Sequence, residues 1–172
     1  MSGSVIVKNL AIFKIFFTLF YCMFACADSM STVTPIKVAM ADQSVISEFV
    51  VKRKTGYTFA VMFVWAADYS GIKKQRELWR GLHQNKGVSL PIHLRILKDG
   101  EVFFDETIIT AGVDAGAVIE VKGQKRSVGI RTIKNYELMP GRYIVKVNTV
   151  GPADAFRGEE CYMQFATYDR KI

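Results

Sequence analysis

Disulfides are the first thing this chain does without. Of three cysteines in 172 residues, Cys22 and Cys26 fall in an N-terminal leader and only Cys161 stands in the body, so an apolar core must hold the fold unaided. Cys161 reads as a small buried hydrophobe in a strand. Histidine is equally scarce: His83 and His93 are the only two, and both read as plain surface residues. Zinc takes three or four ligands at characteristic spacings, and neither Cys-x-x-Cys nor His-Glu-x-x-His occurs. No metal and no cofactor is therefore expected. No glycine-rich phosphate loop leads into a helix; Gly112, Gly116 and Gly123 read as β turns. The adjacent carboxylates Asp105-Glu106 and Glu159-Glu160 would point to opposite faces of their strands and could not converge as acid and base. Nothing along the chain brings Cys161 to a histidine. These absences point away from an enzyme.

The leader is a different kind of segment. Lys8 and Lys14 precede the charge-free run Ile15 to Ala27, too short for the ~20 residues that span a bilayer core but suited to a secretory signal. Residues 1–27 are thus read as a signal peptide. Ala25-Cys26-Ala27 before Asp28 matches the small-x-small rule for ordinary removal. Met23-Phe24-Ala25-Cys26 also looks like a degraded lipobox, which makes Cys26 a candidate lipidation site and would tether the domain to a membrane by acyl chains. A retained anchor is the third reading. Removing Lys8 and Lys14 leaves 21 basic against 16 acidic residues, a net charge of +5, which favours acidic partners. The expected location is the periplasm, with the membrane surface as a variant, and export argues against nucleic acid.

The body alternates with period two almost throughout. Residues 28–43 read as a tether and a first edge strand near Ile36 to Met40, and residues 44–172 as the folded domain. Val45 to Lys54 is a strand, Thr55-Gly56 a turn, and Tyr57 to Ala67 a strand apolar on both faces. Such a strand belongs in the middle of its sheet, with Tyr57, Phe59, Val61, Phe63 and Trp65 toward the partner sheet. Leu90 to Leu97 and Val102 to Ile109 flank Asp99-Gly100, which supplies the positive φ angles of a type I′ hairpin turn. Ala117 to Val121 and Ser127 to Ile133 follow, separated by Lys122 to Arg126, read as a basic loop tip. Pro140-Gly141 then turns the chain into Arg142 to Val147, with Tyr143, Val145 and Val147 on one face, and Glu160 to Tyr168 closes the domain. Seven to nine short strands and one helix predict an all-β fold, an immunoglobulin-like or C2-like antiparallel β-sandwich.

The single helix is where recognition is expected. After Asp68-Tyr69-Ser70-Gly71 the period changes, and Ile72, Leu78, Trp79 and Leu82 fall near one face at helical spacing, with Asp68 or Ser70 as cap. Between Lys73 and Lys86 stand five cations and one anion. Trp and Arg often dominate binding energy at protein interfaces, so Tyr69, Lys73, Lys74, Arg76, Trp79 and Arg80 form the candidate binding set. The alternative is a covering helix with Trp79 in the core and a solvated basic face.

The leader, the strand Tyr57 to Trp65, the segment Val88-Ser89-Leu90-Pro91-Ile92-His93-Leu94 and the pattern Leu138-x-Pro-Gly-x-Tyr143 together resemble a domain-of-unknown-function family of small exported proteins and lipoproteins of Gram-negative bacteria. The resemblance implies a β-sandwich and brings no catalytic residues. Exported sandwiches of this type include immunity proteins that occlude secreted toxins. By that analogy the expected partner is another protein, such as an acidic effector or toxin. An envelope module binding anionic glycan or lipid headgroups through Lys73, Lys74, Arg76, Arg80, Lys125 and Arg126 is the second expectation.

Overall fold

The computed structural model describes residues 31–80 and 86–168. The leader with Cys22 and Cys26, the start of the tether, and Leu82 and His83 lie outside the described residues. Among the described residues nine strands run in chain order: β1 (Ser31–Pro35), β2 (Ser44–Val51), β3 (Thr55–Val64), β4 (Leu90–Lys98), β5 (Glu101–Thr110), β6 (Ala115–Val121), β7 (Gln124–Leu138), β8 (Gly141–Thr149) and β9 (Cys161–Tyr168). They form two antiparallel sheets, one in the order β1-β9-β3-β7-β6 and one in the order β2-β8-β4-β5. This is the expected β-sandwich. A helix, α1 (Tyr69–Gln75), followed by a π-helical turn Arg76–Arg80, carries the chain from β3 in the first sheet to β4 in the second.

Strand β3 occupies the centre because both of its faces need cover. Tyr57, Phe59, Val61 and Phe63 enter the main core between the sheets, with Leu90, Ile92, Leu94 and Ile96 of β4 and Tyr143, Val145 and Val147 of β8. Met62 and Val64 join Val128 and Tyr162 in a second, smaller apolar cluster, packed with Ala117, Ile119 and Val121 of β6. Stacked rings tie the layers: Phe49 lies 5.0 Å from Tyr57 and 5.8 Å from Tyr143. Burial holds the hydroxyls of Tyr57 and Tyr143 above the usual tyrosine pKa. The Tyr143 hydroxyl donates to the Met139 carbonyl at 2.8 Å, pinning the Pro140-Gly141 turn where the chain changes sheets.

The hairpin at Asp99-Gly100 forms with both residues at positive φ, 52° and 91°. Its Asp99 carboxylate accepts from the Arg142 amide at 2.8 Å, so this turn docks on the start of β8. Five expectations need correction. Thr55-Gly56, read as a turn, opens β3, and Gly116, read as a turn, lies within β6. The first strand is Ser31–Pro35, not Ile36 to Met40; Ile36 and Val38 are buried, but the chain turns there, with the Met40 amide donating to the Lys37 carbonyl, because it must cross to the other sheet. Lys122 to Arg126 is not a loop tip. Lys122 and Gly123, at φ 51° and 76°, make a two-residue turn, and Gln124, Lys125 and Arg126 already pair with β6. Finally, β7 runs on to Leu138, because a register shift opposite Phe59 and Ala60 absorbs the break in alternation that hides its second half in the sequence.

Candidate interaction surface

The connecting helix is built from its cap inward. Asp68 is extended at the N-cap and its carboxylate accepts from the Gly71 amide at 3.2 Å. The Ser70 hydroxyl donates to the same carboxylate at 2.8 Å, and these bonds hold the Asp68 pKa below its ordinary value, Ser70 first and Gly71 second. A β-carbon on Gly71 would stand 2.5 Å from Cβ of Ala66, so only glycine lets the helix turn this close to the end of β3. Gln75 then fastens the helix to the sheet. Its Oε1 accepts from the Ala66 amide at 2.7 Å, and its Nε2 donates to the Val64 carbonyl at 3.2 Å and to Glu159 Oε2 at 2.8 Å.

The π turn decides what becomes of Trp79. One wider turn swings the indole into the core, where it has 0% exposure and lies 5.0 Å from the Phe63 ring and 4.6 Å from the Trp65 ring. Trp79 is therefore not part of the binding set: the apolar face that attracts attention in the sequence is the face that packs. Its Nε1 has no hydrogen-bond partner among the described residues. The other five candidates are exposed, Tyr69 at 79% and Lys73, Lys74, Arg76 and Arg80 with it. Spacing of i, i+4 and i+7 puts Tyr69, Lys73 and Arg76 in one row. Among the described residues none of the four cations has a carboxylate within 4.0 Å. The result is a cationic stripe headed by a tyrosine.

The residue that anchors this stripe from below has no motif in the sequence. Arg131 points inward from β7 and is fully buried. Its guanidinium donates to three carbonyls, from Nη2 to Trp79 at 2.7 Å, from Nη1 to Val88 at 3.0 Å, and from Nε to Gly112. It lies 5.1 Å from the Phe63 ring centroid and 5.6 Å from that of Phe156. Burial draws its pKa down to about 10, so at neutral pH the group stays charged. One side chain thus ties the end of the helical segment to the approach to β4 and to the β5–β6 connection. The signal available in the sequence was a cation at an inward parity of a strand otherwise lined by Gly129 and Ile133.

Elsewhere the polar groups disperse. Cys161 is buried, donates weakly to the Glu159 carbonyl at 3.7 Å, and burial pushes its thiol up to about 12, which keeps it protonated at neutral pH. It sits in the five-stranded sheet, whereas His93 belongs to the other. His93 Nε2 lies 2.8 Å from Asp105 Oδ1 and Arg95 3.4 Å from Oδ2 of the same carboxylate. Asp105 pairs across from Arg95 and Glu106 from Leu94, so the neighbouring carboxylates diverge. Glu159 serves Gln75 while Glu160 takes Arg126 and, at 2.6 Å, the Tyr162 hydroxyl. Among the described residues no three His, Cys, Asp or Glu side chains are grouped to hold a metal, and no helix is long and apolar enough to cross a membrane.

A domain of unknown function, DUF5625, matches residues 33–167. The chain belongs to the DUF5625 family. That match runs from within β1 to the penultimate residue of β9, so the helix, Arg131 and the cationic stripe all lie inside the family domain. No curated protein matches the chain. Among solved structures, a crystal structure of a protein from Sulfurospirillum deleyianum is similar over 84% of this chain and 100% of its own, with a TM-score of 0.61 and 16% identity. At that identity the likeness concerns the fold.

Proposed function

We propose that this DUF5625 chain is an exported, non-catalytic binding module that docks an acidic protein partner through Tyr69, Lys73, Lys74, Arg76 and Arg80. The observation that carries this reading is a row of exposed cations without carboxylate partners on a helical segment fastened along its length, by Asp68 at the N-cap, Gln75 at the last residue of α1 and Arg131 at the π turn. A charged row that needs no rearrangement to meet its complement favours fast, specific association. A toxin or effector delivered to the envelope is the partner proposed, with this chain as its immunity protein. The test is capture from periplasmic extract with the wild-type protein and with a Lys73→Glu, Arg76→Glu, Arg80→Glu variant. An acidic protein retained by the first and lost by the second supports the reading; equal capture by both overturns it.

The burial of Trp79 favours a second reading, because among the described residues of the stripe it leaves Tyr69 as the one large exposed apolar group. Anionic glycan or lipid headgroups need charge more than an apolar anchor. Vesicles containing phosphatidylglycerol distinguish the two: binding that falls steeply as salt rises, and that the triple variant loses, belongs to headgroups. Indifference to such vesicles leaves the protein partner. The tether to the membrane through Cys26 remains part of this proposal and is read by the mass of the mature N-terminus.

A further inference from the structure

We propose that β6 is a self-pairing edge, joining antiparallel to β6 of a second copy about Val118 and merging two five-stranded sheets into one. Strand β6 has β7 on one side and no strand of the described residues on the other. The other three edges are guarded. β1 ends in Pro35, β5 carries Glu101, Asp105 and Glu106 and faces a register shift at Ile96 and Leu97, and β2 holds Glu48 in an ion pair with Arg142. β6, with the sequence AGAVIEV, pairs with β7 without a shift and contains neither Pro nor Lys. Natural sheets usually block an edge of this kind by one of those devices.

The side chains of β6 complement themselves about Val118. In antiparallel register around that residue, Ala117 meets Ile119 of the copy and Ala115 meets Val121, all on the face that already carries the cluster of Met62, Val64, Val128 and Tyr162. The cluster would then run unbroken across the two-fold axis. On the opposite face Val118, 67% exposed in the single chain, meets itself, and Glu120 meets Gly116, so the one charge of the strand faces no like charge. Beyond the strand ends, Lys122 stands opposite Asp114 twice over. Asp114 also accepts from the Thr132 amide of β7 through Oδ2 at 2.7 Å. A slip of one residue would set apolar residues on the wrong face, and a slip of two in either direction would part Lys122 from Asp114, which favours this register. A symmetric pairing of one patch with itself closes as a dimer and does not propagate.

A seven-residue ladder sits at the small end of interface sizes, so association should depend on concentration. Sedimentation of the protein from micromolar to millimolar concentration should show the mass rising from one chain toward two. Val118→Lys, which puts two ammonium groups face to face at the axis, should leave a single-chain mass throughout with an unchanged thermal midpoint at micromolar protein. With oxidised glutathione, Val118→Cys should give a disulfide between the two substituted positions, identified by mass spectrometry of the joined peptides. Ile109→Cys, on β5 and 73% exposed, should not. A single-chain mass at every concentration, a dimer that survives Val118→Lys, or equal cross-linking of the two cysteine variants overturns the proposal.

Discussion

Arg131 shows how one residue can govern a surface it never reaches. Three carbonyls and two aromatic faces surround a buried cation that makes no ion pair within 4.0 Å among the described residues, with Asp114 as its electrostatic support. Such a group stabilises only while every bond is kept, since removing one side of a buried polar network leaves the other desolvated and unpaired. Arg131→Ala should therefore lower the unfolding free energy by about 3–5 kcal/mol in urea titration. Arg131→Lys should recover little of it, because an ammonium cannot span carbonyls from three segments as a planar fork does. A loss below about 1 kcal/mol would show that the three segments hold one another without it. Gln75 is the smaller counterpart: Gln75→Ala strands the Ala66 amide and the Val64 carbonyl and should cost about 1–3 kcal/mol.

At the scale of the element, the connecting helix departs from general propensity in a way that can be checked. Replacing an interior helical glycine by alanine ordinarily gains roughly 0.5–1 kcal/mol. At Gly71 the new methyl would lie 2.5 Å from Cβ of Ala66 and 2.7 Å from Asp68 Oδ1, so Gly71→Ala should instead lose about 1–3 kcal/mol by overpacking. Thermal melts of the two proteins decide the sign. The π turn belongs to the same economy of space: it carries Trp79 onto Phe63 and Trp65 and leaves Arg80 in solvent.

For the whole molecule, the buried ionisable groups predict an alkaline limit. The Cys161 thiol is raised from 9.0 to about 12 in the folded chain, and the hydroxyls of Tyr57 and Tyr143 are raised above 10.0. Between the unfolded and folded values the unfolded chain has lost protons that the folded chain keeps, so stability must fall as pH rises. The contribution is fully present below pH 9 and disappears through the interval up to about 12. Arg131, whose pKa burial lowers to about 10, acts with the opposite sign and partly offsets it near the top of that range. Cys161→Ala should consequently flatten the decline of urea midpoints between pH 9 and 12. An unchanged slope would place the alkaline sensitivity on other groups.

Much of this architecture can be read from local pattern. Alternation in β3, β4 and β8, the double apolar character of β3, and Asp99-Gly100 as a hairpin are backbone and side-chain preferences that act within a few residues, so they survive in the one-dimensional string. The exposed half of the candidate surface, Tyr69 with four cations, is legible for the same reason. What the string does not contain is partnership across distance. Trp79 could serve an interface or a core with equal chemistry until Phe63 and Trp65 occupy one side of it. Arg131 reads as an ordinary strand cation until carbonyls at 79, 88 and 112 converge on it, and β6 is an unguarded edge only because β7 is its one neighbour among the described residues. Period and turn chemistry are short-range quantities; burial, convergence and exposure are set by residues far apart along the chain, and only folding brings those together.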